Sequence, residues 1–269
     1  MQRNLRWLFY STVLTTELFV SSGLRAQQDN PLQASEILNR SLGMMMDAGK
    51  PVRDITLSGT VEYIAGSTDE QGTIMMKATS DGSSRVDTSL PSGDTSESVI
   101  WSQAGFTGEN KDAKGKLHST SSQNLMTNSA WFSPVLLLQH FARHNSEDNV
   151  ASAWIGETDG SSMEHLTWSL HSLNAKPGAD KELQRLSRMD IFLDRETSLL
   201  DHLTYQSHSD RNSQINFRIE VRYSDYQATD GIQIPMHIQR YLNGVLSLDI
   251  HISSVVLNNG LAPTQFQLQ

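Results

Sequence analysis

Residues Arg218 to Gln269, RIEVRYSDYQATDGIQIPMHIQRYLNGVLSLDIHISSVVLNNGLAPTQFQLQ, decide the fold. They read as three strands, two turns and a tail. Ile232, Ile234, Met236 and Ile238 alternate with Gln233, Pro235, His237 and Gln239, and after Asn243-Gly244 the residues Leu246, Leu248, Ile250 and Ile252 alternate with Ser247, Asp249, His251 and Ser253. Each strand therefore has one apolar face, and pairing must keep those faces together, because a one-residue slip moves a whole apolar set to the wrong side. A two-residue loop opposing Leu242 and Val245 would set Ile238 against Asp249 and Met236 against His251. A three-residue loop, Leu242-Asn243-Gly244, opposes Tyr241 with Val245, Ile238 with Leu248, Met236 with Ile250 and Ile234 with Ile252. This second register is the expected one, with Gly244 in the left-handed position that closes the loop. On the outer face it sets His237 across from Asp249. With no nucleophile beside it, the pair reads as an exposed cross-strand charge pair and not as half of a catalytic relay.

The series Tyr223-Ser224-Asp225-Tyr226, Asp230-Gly231-Ile232-Gln233-Ile234-Pro235 and Arg240-Tyr241-Leu242-Asn243-Gly244, followed by a closing strand and Pro263-x-x-Phe266, resembles the carboxy-terminal end of the outer-membrane lipoprotein-sorting (LolA/LolB-like) superfamily. Upstream, Asp194, Thr197 and Leu199 stand as in that superfamily's turn between two strands, so the resemblance covers about the last 80 residues. It implies an α+β fold, a strongly curved antiparallel half-barrel sheet with two or three helices packed on the concave side. It further implies that the concave apolar face holds acyl chains, with helices as a lid and an arginine holding the lid shut. No residue of the sequence stands out as that arginine.

Met1 to Ala26 has Arg3 and Arg6, an apolar stretch from Trp7 to Val20 and a short polar end, the shape of a secretory signal. The expected division is a signal peptide at 1–26 and a single domain at 27–269, with a periplasmic or secreted location. The chain has no cysteine, which removes a lipobox, disulfides and thiol chemistry together. Beyond residue 26 there remain 18 basic against 29 acidic residues, a balance of -11 that argues against nucleic acid and anionic membrane surfaces as partners.

Asn30-Pro31 starts a helix carrying Ala34, Ile37, Leu38, Leu42 and Met45 at helical spacing, and its methionines read as core. Alternation from Ile55 to Tyr63 predicts a strand. Further strands are expected at Thr73–Ser80, Ser84–Leu90, Ser96–Ser102 and Phe106–Lys116, then a mobile loop from His118 to Ser129. Ser133-Pro134 opens a second helix with Phe132 placed to staple against Leu137. The apolar window Trp131, Phe132 and Leu136 to Leu138 is the expected lid. A hairpin follows within 150–171, and Lys176–Arg188 reads as a short helix or polar insertion.

His140 and His144 share a helix face at a spacing zinc sites use, but without a third ligand they read as solvated; His165 and His171 give a weak metal signal. There is no Gly-x-Ser-x-Gly elbow, phosphate loop or His-Glu-x-x-His motif. The expectation is an exported binding protein and not an enzyme, with no cofactor, no metal and no catalytic residues. Its partners would be a lipid or an acylated protein, and its apolar contacts Ile232, Ile234, Met236, Ile238, Leu248, Ile250 and Ile252, with Leu137 and Phe141 from the lid. The alternative is an envelope sensor or scaffold that binds a protein partner through the same half-barrel.

Overall fold

The computed structural model describes residues 31–46, 50–103, 105–127, 130–144, 154–157, 163–172, 176–210 and 212–269. The expected signal segment lies outside them. Helix α1 (Pro31–Met45) is followed by a meander of β1 (Asp54–Ala65), β2 (Thr68–Thr79), β3 (Ser84–Leu90), β4 (Gly93–Ser102), β5 (Gly105–Lys111) and β6 (Leu117–Ser119). Then come α2 (Ser122–Leu125) and α3 (Pro134–His144), β7 (Trp154–Glu157), β8 (Met163–Trp168) and α4 (Pro177–Ser187). A second meander closes the chain with β9 (Met189–Asp194), β10 (Leu200–Ser209), β11 (Asn212–Thr229), β12 (Ile232–Leu242) and β13 (Val245–Leu257), before a 3-10 turn at Pro263–Phe266.

All 13 described strands form one antiparallel sheet, with β6 at one edge and β7 at the other. The sheet is an open, curved half-barrel. Its two meanders meet where β1 pairs with β13, so the first and last strands are neighbours at its centre. The inward face of the sheet and helices α1 and α3 share one core. Ile37, Leu38 and Met45 from α1 and Leu136, Leu137, Leu138 and Phe141 from α3 pack with Ile55, Leu57, Ile238 and Ile250 from the sheet. This is the alternation of the sequence made physical, since strands such as β1 and β9 bury one face and turn the other outward.

The β12–β13 register differs from the expected one. Leu242 faces Val245 across a two-residue turn with Asn243 at φ 50 and Gly244 at φ 81, the left-handed pair that such a turn demands. The clash of faces that argued against this turn is removed by an irregularity between Arg240 and Tyr241. Leu246 opposes Tyr241, Leu248 opposes Arg240, and Ser247 is the extra residue. From there Ile238 faces Ile250 and His237 faces His251, so the apolar residues share a face as required although their partners are displaced by two positions. The charge pair is correspondingly diagonal, Asp249 being paired with Gln239.

Other departures have local causes. Strand β2 starts at Thr68 because the chain reverses tightly at Gly66, not over Gly66 to Gly72. Strand β5 stops at Lys111, where the Asp112 carboxylate accepts the amides of Lys114 and Lys116 at 3.0 Å each and folds the chain back into β6. The segment expected as a mobile loop is fastened to β10, since Asn124 donates to the His208 carbonyl at 2.8 Å and accepts the His208 amide at 2.7 Å. The Asp194–Leu199 turn is built as its sequence suggests. Asp194 accepts the Thr197 amide at 2.7 Å and its hydroxyl at 2.8 Å, and these bonds hold its carboxyl below the usual range. Ser133 stands before α3 and its carbonyl takes the Leu137 amide, but its buried hydroxyl makes no hydrogen bond among the described residues.

The β1–β13 junction allows a sharp test. An added Cβ on Gly59 would stand 2.0 Å from the His251 carbonyl oxygen, whereas one on Gly244 would meet nothing within 4 Å. Gly59→Ala must therefore push two strands apart and is expected to cost about 3 kcal/mol or more, against about 1 kcal/mol for Gly244→Ala, which strains only its own backbone. Urea unfolding of the two variants measures the ratio.

A second test is electrostatic. Burial works against the Asp190 charge, but hydrogen bonds from His165, Arg188 and Thr167 hold its carboxyl well below the ordinary range. A depressed folded-state value stabilises above the ordinary carboxyl pKa and loses that contribution as pH falls through the folded value. Asp190→Asn should thus cost about 1–2 kcal/mol at pH 7, with the gap to wild type closing below about pH 4. Denaturation midpoints across pH 7 to 2.5 check the sign.

Candidate functional site

The concave face changes character along β12. Ile232, Ile234 and Ile238 are buried, as are Ile250 and Ile252 on β13 and Leu137 and Phe141 on α3. Met236 and Leu248 are partly buried and pack against the same cluster. The residues expected to contact an acyl chain are thus brought together, and here they contact one another and the two helices. Ile232 also borders an open cavity of about 430 Å³ edged by Lys50, Arg53, Asp230 and Asn258.

Arg240 continues the inward series 232, 234, 236, 238 by one more step. Its guanidinium lies 5.2 Å from the centre of the Trp131 ring, in the segment that leads into α3, and among the described residues it has no ion-pair partner. It lines a cavity of about 370 Å³ together with Glu97, Glu109, Tyr205, His208 and Asp210. Burial would lower its pKa, but the neighbouring Tyr205 and Glu97 oxygens outweigh that and keep it firmly charged. Two further groups of this cavity are buried and incompletely satisfied: the Tyr205 hydroxyl, whose polar neighbour is the Arg240 guanidinium, and Nε2 of His208, whose Nδ1 bonds Asn216 at 2.8 Å. Burial lowers the His208 pKa, favouring the neutral ring with Nε2 as an acceptor. A buried polar group without a partner costs about 1–3 kcal/mol, so a polar ligand that met these two groups would gain by it.

Trp131 is held from two sides. Tyr223 on β11 donates its hydroxyl to the Trp131 carbonyl, and Arg240 on β12 covers the indole. Helix α3 is fastened further by Arg143, which donates to the Ser80 carbonyl at 2.8 Å. Helix α1 is tied by Arg40 to Glu164 on β8 and, at 3.2 Å, to Ser198. Sequence reasoning missed Arg240 because it scored the series only as far as the apolar residues ran. The available signal was a cation at an inward-facing parity.

The histidines expected to be solvated or weakly metal-binding are placed otherwise. His140 is half-buried among Phe106, Phe141 and Trp168, its ring centre 6.1 Å from that of Trp168. The side chain of His144 lies outside the described residues. His165 bonds Asp190 at 3.0 Å and stacks on Phe192 at 4.4 Å, and His171 lies 3.6 Å from Asp180. On the outer face the structure supplies the hydroxyl that the His237/Asp249 pair lacked in sequence, Ser224 Oγ at 3.1 Å from His237 Nδ1. The three lie on the outward face of the sheet, beside an irregular step in β11 where Asp225 is left out of the ladder with its backbone left-handed at φ 55.

The fold, an open half-barrel with helices against its concave side, is similar to that of solved proteins of the LolA-like superfamily. An outer-membrane lipoprotein-sorting protein domain from Vibrio parahaemolyticus superposes with a TM-score of 0.53 at 10% identity, covering 88% of this chain and 97% of that one. A DUF1329 family protein from Desulfovibrio piger does so at 0.54 and 16% identity, covering 90% and 100%. A LolA superfamily protein from Nitrosomonas europaea gives 0.50 and 11% identity, covering 87% and 97%. No family model and no curated protein matches the chain by sequence. Among the described residues no helix is long and apolar enough to cross a membrane.

The two tethers of Trp131 can be cut separately. Tyr223→Phe leaves a carbonyl without its partner and should cost about 1–2 kcal/mol, while Arg240→Met removes the charge and keeps a stem of similar length. Hydrogen exchange is expected to quicken severalfold at the amides of 131–141 in each variant and to stay unchanged in β1 and β13. Equal acceleration everywhere would mean that these contacts stabilise the whole fold and do not fasten α3 in particular.

Proposed function

We propose that the protein binds a lipid in the cell envelope, taking the acyl part against the concave apolar face and the head group into the adjoining polar cavity. The observation that carries this reading is the order of side chains along one face of β12, apolar from Ile232 to Ile238 and cationic at Arg240. An amphiphile needs that order. The acyl contacts are Ile232, Ile234, Met236, Ile238, Leu248, Ile250 and Ile252, with Leu137 and Phe141 displaced or repacked as α3 yields. Contacts of this kind select by shape and give low specificity for chain type.

The head-group cavity narrows the class. Arg240 offers a charged fork for an anionic oxygen, while Glu97 and Glu109 on the same cavity disfavour a head that is only negative. A zwitterionic phospholipid satisfies both, its phosphate at Arg240 and its ammonium toward the carboxylates. The likeness of fold to a lipoprotein-sorting domain supports a carrier role, in which an acylated protein would present the same kind of chain. An exported location follows from the sequence of residues 1–26 and belongs to the same proposal.

Native mass spectrometry of the protein purified gently from envelopes tests the reading. Wild type should carry lipid-sized adducts, with phosphatidylethanolamine favoured over phosphatidylglycerol when both are offered. Met236→Glu, which sets a charge on the partly buried edge of the apolar face, should fold and lose them, and Arg240→Met should lose the head-group preference while keeping some adduct. A clean spectrum for wild type that remains clean after exposure to both lipids would sink the proposal.

A further inference from the structure

The outward face of the same hairpin carries a second cluster. His237 Nε2 lies 2.7 Å and His251 Nε2 3.4 Å from one oxygen, Oδ1 of Asp249, and the ligating atoms of the three residues all fall within 4.8 Å of one another. The two imidazoles are stacked, centres 4.4 Å apart and planes 7° from parallel, as the direct pairing of His237 with His251 requires. This convergence depends on the irregularity at Arg240/Tyr241. Without it Asp249 would face Ile238, and its carboxylate would enter the core.

On His237 and Asp249 the atoms not turned toward the common point are held by other partners. Ser224 Oγ sits 3.1 Å from His237 Nδ1, and Gln239 Nε2 donates to Asp249 Oδ2 at 2.8 Å. That leaves His237 Nε2 and Asp249 Oδ1 presented inward to the cluster, the arrangement in which outer partners orient metal ligands. Tetrahedral coordination at about 2.0–2.1 Å separates ligand atoms by about 3.3 Å; His251 Nε2 stands 3.4 Å from Oδ1, and His237 Nε2, now in direct contact at 2.7 Å, would draw back to admit the ion. Glu62, across β1 from Asp249, adds a further carboxylate to the surrounding field, and Asp69 lies beside it. The side chains of His237 and Asp249 are 21% and 17% exposed and that of His251 is 64% exposed, so two ligands are fixed and the third is free to adjust from the solvent side.

We infer that His237, Asp249 and His251 form a binding site for a borderline first-row divalent cation, Zn²⁺ or Cu²⁺, on the convex face of the sheet. Two imidazoles and a carboxylate are donors suited to those ions and unsuited to Mg²⁺ or Ca²⁺, which take oxygen sets. The ion would bridge β12 and β13 just beyond their irregular step, on the opposite side of the sheet from Ile238 and Ile250. Occupancy would then stiffen the hairpin on which the apolar face is built, and the inference does not depend on what that face binds.

The test uses the full chain stripped with EDTA and titrated with Zn²⁺ against a chromophoric chelator, and with Cu²⁺ followed by electron paramagnetic resonance. One equivalent of Zn²⁺ should bind, Cu²⁺ should show splitting from two nitrogen ligands, and saturation should raise the unfolding temperature. His251→Ala removes an exposed ring and should fold normally, yet weaken Zn²⁺ binding tenfold or more and abolish the thermal shift. Asp249→Asn should do the same. His118→Ala, which removes a histidine paired with Asp112 elsewhere on the surface, should change nothing. Zn²⁺ binding as tight in His251→Ala as in wild type, or no saturable binding in wild type, would overturn the assignment.

Discussion

The pairing of β1 with β13 is the contact on which the rest of the structure depends. It joins Ile55 to Leu257 and Tyr63 to Leu248, uniting chain segments that lie at opposite ends of the described sequence. Without it there would be two meanders, each with an extra open edge, and no continuous concave surface. Closing so long a loop costs little more entropy than closing one half its length, so a single well-made ladder suffices to hold the halves together. Its lower end is locked by Asp54, whose carboxylate accepts the amides of Asn259 at 2.8 Å and Gly260 at 3.0 Å. At its middle the strands come so close at Gly59 that no side chain fits. The tail then crosses to the other meander, where Phe266 is buried and Arg85 donates to the carbonyls of Gln265 and Gln267. The carboxy-terminal stretch therefore supplies β12 and β13 to one half of the sheet and fastens the other.

What was legible in the sequence was parity. The alternation from Ile232 to Ile238 and from Leu246 to Ile252 required that apolar faces coincide, and they do. The device that makes them coincide was not legible. A longer loop and a tight turn with a bulge satisfy the same parity, and the choice rests on left-handed backbone at Asn243 and on where Ser247 can be accommodated, neither of which a pattern of apolar residues reports. The same limit explains the segment from His118 to Ser129. Its Ser, Thr and Asn residues have the composition of a loop, but Asn124 satisfies the backbone of His208, a residue remote in sequence and adjacent only in the fold.

The candidate site was half legible for a related reason. Apolar residues announce themselves by period, so the buried face of β12 and the window around Leu137 could be read directly. Polar groups announce themselves only by position. Arg240 is ordinary as a residue and unusual as the fifth member of an inward series, and its partner Trp131 comes from another element altogether. His237 and Asp249 were visible as a pair, but Ser224, Gln239 and His251 joined them through strand register, and the register expected for the β12–β13 hairpin was not the one it adopts.

The filled concave face fits a binding role on energetic grounds. In the proposed function, an entering acyl chain takes up apolar contacts that Leu137 and Phe141 now make with the sheet, so the gain of about 0.8 kcal/mol per buried methylene is set against similar losses as the helix withdraws. Exchange of one apolar partner for another is nearly neutral, which suits reversible binding. The balance is then set by the polar end. A head group that satisfies Tyr205 and His208 relieves two buried groups that are incompletely partnered in the closed form. Arg240 belongs to both sides of that exchange, since the guanidinium that covers Trp131 is the one a phosphate would engage. In the proposed function, ligand capture and release of the α3 segment would be coupled through a single side chain, in the sense that whatever favours one partner of Arg240 weakens its hold on the other.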